Sequence, residues 1–536
     1  MNRRQFTKTA VVGLIMAMTG SLLATEDSSK NPNIIIIMTD DMGFSDIGCY
    51  GSEIETPNLD MLAMQGLRFT QFYNEGVCVP TRVSLLTGLH PKQTGNNSNS
   101  SSKGISRHSV TLAEAIGSAG CGLKSWYHTY HTGKWMVGHR EMSMWPTGRG
   151  FDHSFGCPEG GGVYFAPSAF YANSGSTPSM ERSITRDYEV IYDIERDPPE
   201  GWYATDAWTD EGIGFVREAV DMEQPFLWYL AYNAPHWPLK AKPEDIAKYR
   251  GRYMDGWDTI RQQRYERLIS SGIIDESSRL SPRGEKIPDW DSLSEAEKDE
   301  QDLRMATYAA MIDCVDQNVG KIVQSLKELD VYENTVILFL ADNGGDASGG
   351  VTGSNTGTGI CGTAESHAKY GECWANACDT PFRKYKTWLH EGGVATPLIA
   401  HWPNGIPAEL HGTLVTEPAH VIDLMATCVD LSGAEYPETY NGNEIIPMAG
   451  RSLRPLFEGE TFSREDPIYF NLGGARAMRQ GKWKLISVRG GQWELYDMQT
   501  DRTELNNMAA ELPEKVEELS ALYDAWSDQC SATAKN

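Results

Sequence analysis

Three continuous apolar runs, Ile34–Met38, Phe226–Tyr232 and Val336–Leu340, each break off at residues that carry chemistry. The first leads into Thr39-Asp40-Asp41, the second into Asn233-Ala234-Pro235-His236, and the third into Ala341-Asp342-Asn343-Gly344-Gly345. Apolar runs without polar alternation are strands buried on both faces, as in a parallel sheet covered by helices. Helical patterns at Leu112–Ala119, Leu303–Glu328 and Val421–Leu431 supply the covering layers, and Pro397–Ala400 reads as a fourth strand. The expected fold class is α/β, with a large, mostly parallel sheet flanked by helices. Ligands of such open sheets sit beyond the carboxyl ends of the strands, so this fold brings the three strand ends together. Asp40, Asp41, Asp342 and Asn343 are hard oxygen donors suited to a divalent Ca2+ or Mg2+ ion. Each pair alone is equally an ordinary turn former or helix cap; their joint occurrence is what points to a metal.

A second feature is the stretch Cys78-Val79-Pro80-Thr81-Arg82, followed by the apolar Val83-Ser84-Leu85-Leu86-Thr87-Gly88. Pro80 fits the first turn of a helix, where its missing N–H costs nothing. The free amides and positive dipole end of a helix start make an anion seat. Arg82 adds a forked cation suited to tetrahedral oxyanions. Taken alone, Cys78 could equally be a buried thiol beside a Pro-initiated helix.

At 536 residues the chain exceeds one average core. A large domain over 31–457 is expected, then a smaller one over 458–536. In the latter, Pro467–Asn471, Lys482–Val488 and Gln492–Tyr496 read as antiparallel strands, and Pro513–Trp526 as a closing helix. The polar segments Tyr249–Glu300 and Asp346–Thr380 read as surface excursions. A net charge of −26 argues against nucleic acid and anionic membrane surfaces as partners. Residues 1–24, with Arg3-Arg4 before an apolar, Gly-containing run, resemble a twin-arginine export leader, which implies a periplasmic or secreted protein without stable membrane insertion. Of the ten cysteines, Cys361, Cys373 and Cys378 lie close enough in sequence for one disulfide, while Cys314 and Cys428 read as core residues.

With these motifs in place, the chain resembles the type I, formylglycine-dependent sulfatases, most closely the bacterial arylsulfatase-like branch of the alkaline-phosphatase-like superfamily. The resemblance runs through PNIIIIMTDDMGFSDIGCYG, CVPTRVSLLTG, TGKW, RGFDHSFG, APHWP, ADNGG, TPFRKYKTWLHEGGVATPLIAHWP and WKLISVRGGQWELYD in the family's order. It implies that Cys78 is oxidised to formylglycine by a sulfatase-maturating enzyme. It further implies that Asp40, Asp41, Asp342, Asn343 and the modified residue 78 hold Ca2+, with Mg2+ as the alternative. Arg82, Lys134 and Lys386 would hold formylglycine and sulfate, and His236 would meet the leaving-group oxygen. The substrate expected is a small aryl or saccharide sulfate ester, with His139, Trp202, Trp237, Trp374 and His390 as candidate pocket residues.

The chain departs from the family pattern at Gly133-Lys134-Trp135-Met136-Val137-Gly138, where the family has a histidine at the place of Met136. A thioether takes no proton at neutral pH. His131 has the opposite strand parity, and His139 lies beyond a glycine. Two alternatives stay open at this point: a phosphatase, phosphodiesterase or phosphonate hydrolase on the same fold, and an impaired protein that binds sulfated glycans.

Overall fold

Register along the central strand explains how distant residues meet. In the computed structural model, which describes residues 31–100, 104–117, 127–160, 163–166, 184–191, 194 and 197–533, strand β1 (Asn33–Thr39) is wholly buried. Its side chains alternate between two cores, Ile35 and Ile37 on one face of the sheet and Ile34, Ile36 and Met38 on the other. That burial on both faces is what an uninterrupted apolar run requires. The leader expected over 1–24, residues 118–126 and much of the loop between Gly160 and Tyr203 lie outside the described residues.

The remaining strands of the main sheet are β2 (Leu67–Phe69), β3 (His128–Lys134), β4 (His153–Cys157), β5 (Thr185–Arg186), β6 (Glu189–Val190), β7 (Phe226–Ala231), β8 (Thr335–Ala341), β9 (Leu398–His401) and β10 (Thr413–Val415). Their spatial order is β10-β2-β9-β8-β1-β7-β3-β4-β5-β6. The central five, β8-β1-β7-β3-β4, run parallel. Strand β9, expected to join them, instead runs antiparallel to both β8 and β2, so the sheet is mixed. Leu340, Met38, Ala231 and Gly133 form one lateral row across β8, β1, β7 and β3. Asp342, Asp40 and Lys134 follow that row by one or two residues, which is how the sheet gathers its chemistry along one edge.

Helix α1 (Cys78–Thr87) is buried along its whole length, and α2 (Ala204–Asp221) covers the β3 and β7 side. The longest helix, α3 (Glu295–Glu328), starts well before the expected Leu303 because Ser294 and Glu297 make a reciprocal capping box. The segment from Tyr249 to Glu300 is more than a surface excursion. It carries a helix over Gly256–Ser270 whose Arg264 is buried, 2.5 Å from Asp46 and 2.8 Å from Glu53. The second polar segment likewise folds inward, as helix Gly371–Cys378. Cys361, Cys373 and Cys378 are all free thiols, so the disulfide expected among them does not form.

The C-terminal part is a four-stranded antiparallel meander, β11 (Ile468–Leu472), β12 (Ala475–Gln480), β13 (Trp483–Ser487) and β14 (Trp493–Asp497), closed by helix α4 (Pro513–Thr533). Strand β12, which is charged and not clearly alternating, had no counterpart in the sequence reading. Leu519 and Tyr523 of the helix pack on Met478, Leu485 and Leu495. A buried ion network pins the meander to the main body: Lys484 lies 2.9 Å from Glu391 and 2.8 Å from Glu504, while Arg502 reaches Glu391 at 3.0 Å. No described helix is long and apolar enough to cross a membrane.

Candidate active site

Cys78 is the first residue of α1, preceded by Val77, which offers no side-chain cap. The Val79 amide in this first turn donates to Asn99 Oδ1 at 3.5 Å. Cys78 Sγ lies 3.4 Å from Asp40 Oδ1. Ligand atoms of Asp40, Asp41, Cys78 and Asp342 all fall within 4.8 Å of one another. Asp41 has φ 64°, a left-handed conformation that Asp tolerates better than most residues. Its amide donates to Asp342 Oδ1 at 3.2 Å, and Asn343 Nδ2 donates to its Oδ1 at 2.7 Å.

Three cations surround these carboxylates. Lys134 Nζ bonds Asp40 Oδ2, and Lys386 Nζ lies 2.6 Å from Asp41 Oδ1. Arg82, one turn into α1 and wholly buried, donates to Asp342 Oδ2 at 2.9 Å, to the Lys134 carbonyl at 3.2 Å and to Tyr229 Oη at 3.3 Å. Lys134 follows Gly133, whose φ is 100° and where a Cβ would sit 2.0 Å from the Ala231 carbonyl oxygen. Only glycine fits there, and it lets the strand deliver Lys134 to the centre. His236 Nδ1 donates to the Trp237 carbonyl at 2.5 Å, which leaves Nε2 facing Asp41 Oδ2 at 3.4 Å.

Electrostatics mark the cluster as a cation seat. Burial pushes Asp41 up to about 7, against Lys386 and with help from Asp346 and Asp40. Burial and the Asp40 charge likewise push Asp342 up to about 7 despite Arg82. For Asp40 burial pulls upward too, but Lys134, His236, Arg82 and Lys386 outweigh it and hold the carboxyl well below its usual range. Burial raises the Cys78 thiol well above normal in spite of Lys134 and Lys386. Burial pushes His236 down to about 4. Asn343 Oδ1 is buried with no hydrogen-bond partner. Three buried carboxylates within reach of one point fit a hard divalent ion, and the neighbouring Asn343 amide, which touches Asp41 through Nδ2, has an unpaired oxygen to offer.

Pocket candidates divide. Trp237 adjoins His236, and its Nε1 donates to Asp346 Oδ2 at 2.6 Å. Asp346 in turn lies 3.8 Å from Lys386. Trp202 packs edge-on against Trp208, whose Nε1 donates to Asn233. Trp374 is fully buried among Tyr253, Trp257 and Trp290 and donates to Gln301, so it is a core residue rather than a wall. His390 is buried 3.6 Å from Glu494, under the C-terminal meander. The His139 ring is also buried, and its carbonyl accepts from Trp145 Nε1; no hydrogen bond among the described residues ties it to Cys78 or Lys134. His131 is buried against the Lys134 carbonyl, and burial pushes it down to about 3. Met136 is half-buried beside Lys134: both side chains flank Gly160, where an added Cβ would meet Lys134 Cε at 2.8 Å and Met136 Cβ at 3.1 Å.

Two features escaped the sequence reading. Asp346 is a further carboxylate four residues beyond Asp342, in the run Asp342-Asn343-Gly344-Gly345-Asp346, and was legible as such. A cavity of about 300 Å³ lies between Val77, Thr387 and Trp388 on one side and Leu472, Val488 and Arg489 of the meander on the other. No local motif signals it, because segments far apart in sequence build it.

The fold and this constellation match a known class: a sulfatase family model covers residues 32–434, and an N-sulphoglucosamine sulphohydrolase C-terminal model covers 382–524. The chain belongs to the sulfatase family and is a sulfuric ester hydrolase with the alkaline-phosphatase-like fold. Among its relatives are an arylsulfatase of Klebsiella aerogenes, 31% identical over 85% of this chain and 97% of that one, and an uncharacterized sulfatase of Schizosaccharomyces pombe, 30% identical over 86% of each. The solved structure of Ps i-CgsB in complex with k-i-k-neocarrahexaose superposes with a TM-score of 0.68 at 27% identity, covering 93% of both chains.

Proposed function

We propose that this enzyme hydrolyses a saccharide sulfate ester, with Cys78 matured to formylglycine and Ca2+ held by Asp40, Asp41, Asp342, Asn343 and residue 78. The observation that carries this reading is the position of Cys78: a helix-start side chain within reach of three buried carboxylates, flanked by Lys134 and Lys386. As a thiol it would be inert here, because burial keeps it protonated. The formylglycine hydrate would supply the oxygen nucleophile, and the metal would lower its pKa and neutralise charge on the sulfuryl group.

The chain's own residues do the rest. Lys134 and Lys386 pair with Asp40 and Asp41 and are the cations placed to take up sulfuryl oxygens. Arg82 fixes Asp342 and the end of β3 at once. His236 is oriented through Nδ1, which places Nε2 to meet the departing oxygen. Burial disfavours the charged ring, so Nε2 must first take up a proton before it can pass one to the leaving group. The leaving oxygen would lie beside His236 and Trp237. The cavity lined by Val77, Thr387, Trp388 and Arg489, next in sequence to Cys78 and Lys386, would take a more distant sugar ring and its polar substituents. The saccharide bound to Ps i-CgsB supports that class of leaving group. Export through the leader and maturation by a sulfatase-maturating enzyme complete the proposal.

The test is hydrolysis of saccharide and aryl sulfates against aryl phosphates and phosphodiesters, by protein from a host able to mature sulfatases. Sulfate release that disappears in Cys78→Ala supports the reading. Preferential phosphate release, or full activity in Cys78→Ala, overturns it.

A further inference from the structure

We propose that Glu75, His90 and His420 form a second metal site, for Zn2+, buried where the C-terminal meander covers the main body. Glu75 ends the segment leading to Cys78, His90 caps the short helix Pro91–Thr94, and His420 ends the two-residue strand Ala419–His420, which pairs with Phe72–Tyr73. Register and the tight turn after α1 thus bring three residues far apart in sequence to one point.

Glu75 Oε1 lies 3.6 Å from His90 Nδ1 and 3.6 Å from His420 Nε2, and the three ligand atoms fall within 4.8 Å of one another. Donors around a tetrahedral zinc with bonds of about 2.0–2.1 Å stand roughly 3.3–3.4 Å apart, so little contraction is needed. Side-chain exposure is 5% for His90, 1% for Glu75 and 0% for His420. Glu75 Oε2, His90 Nδ1 and His420 Nε2 are all buried without a hydrogen-bond partner. Such orphans are rare in folded chains; the two imidazole nitrogens face Glu75 Oε1, and the second oxygen of the same carboxylate is also unpaired, so one shared ligand would satisfy the group.

An ion pair is the plain alternative. At 3.6 Å, however, each imidazole stands just beyond a good hydrogen bond to Glu75 Oε1, and the pull of His90 on the carboxyl does not outweigh burial. Burial raises the Glu75 carboxyl and lowers His420 well below its usual range, so the enclosure disfavours charge on both. Two histidines and a carboxylate are a donor set that suits zinc, with one position left for a water to complete four donors. Binding replaces protons held by the cluster, which leave as the ion enters. Metal on His420 Nε2 places the ring proton on Nδ1 and gives up only the long 3.3 Å approach of the Ile422 amide.

The surroundings fit a structural site. Ser84 Oγ, on the helix that starts at Cys78, donates to Glu75 Oε1 at 3.0 Å, the kind of outer contact that orients a ligating carboxylate. The His90 ring meets Tyr469 at 6.0 Å and Trp526 at 5.5 Å, and His420 meets Phe470 at 5.6 Å. An ion here would tie the Glu75 segment, the turn after α1 and the Ala419–His420 strand together beneath the meander and α4, whose rings pack on the two histidines.

The test uses the full chain, stripped with chelator, reloaded with Ca2+, given Zn2+ and desalted. Elemental analysis should find about one zinc per chain in the unmodified sequence and in Asp342→Asn, whose acidic cluster is impaired. Glu75→Gln should lose that zinc, along with the rise in Tm that zinc gives the unmodified chain. Cobalt in place of zinc should show the intense visible absorption of a four-coordinate ion. No retained zinc, equal retention by Glu75→Gln, loss in Asp342→Asn, or a weak six-coordinate cobalt spectrum each overturns the proposal. If Glu75→Gln does not fold, the cobalt spectrum and the Asp342→Asn zinc content still decide.

Discussion

Cys78 Sγ stands 3.4 Å from Asp40 Oδ1, although the two residues come from different elements, the first turn of a helix and the end of the central strand. Lys134 bonds the other oxygen of the same carboxylate. Asp40 is therefore shared between Cys78 and Lys134, the proposed nucleophile position and sulfate-binding cation, and any change there disturbs both.

Lys386→Ala should leave the fold intact and lower kcat/KM for sulfate esters by about 10²–10³, the usual effect of deleting one preorganised charge-stabilising group. Steady-state kinetics with the matured variant check this. A change in KM with kcat untouched would assign Lys386 to simple binding.

Met136→His should speed steady-state turnover. Met136 and Lys134 flank the same glycine, so a histidine there stands beside the lysine proposed to bind sulfate, with a group able to move a proton. The unmodified enzyme should show a fast first cycle followed by slow sulfate release, and the variant should lose that burst. Unchanged or reduced turnover would remove Met136 from the mechanism.

Lys484→Met should destabilise the chain by about 3–5 kcal/mol, because Glu391 and Glu504 would be left buried without their shared cation. Glu391 lies five residues beyond Lys386, so activity should fall at denaturant concentrations that leave the unmodified enzyme folded. Urea unfolding measured beside activity gives both numbers.

Stability should fall as pH drops from about 6.5 towards 4. Burial holds His401 down at about 4 while an unfolded imidazole titrates near 6.5, so within that window the unfolded chain binds the extra proton. The contribution is fully present above the unfolded value and is lost on acidification, by about 1.4 kcal/mol per pH unit. His401→Gln, which can still bond Tyr332 Oη as His401 Nε2 does at 2.9 Å, should show a shallower loss of Tm between pH 7 and 5. An identical slope would place the acid sensitivity elsewhere.

The strand-end residues were legible in the sequence because each motif is local and parallel register does the assembling. Asp40 follows Thr39, which is paired with Ala341 just before Asp342. The direction of β9 was not legible: Leu398–His401 is as apolar as its neighbours, and only the chain's return path makes it antiparallel. Pocket walls failed for a related reason. Trp374 and Trp388 look alike as sequence, yet one fills the core beside Trp257 and the other lines a cavity closed by the meander. The Glu75–His90–His420 cluster has no motif at all, since the third member arrives through a two-residue strand pairing.

The most direct measurement is the mass of the peptide carrying residue 78, taken with and without an aldehyde-trapping reagent, from enzyme active on sulfate esters. An aldehyde at position 78, in proportion to activity across preparations, is the expected result. An unmodified thiol at full activity would contradict the assignment of Cys78 as the precursor of the nucleophile.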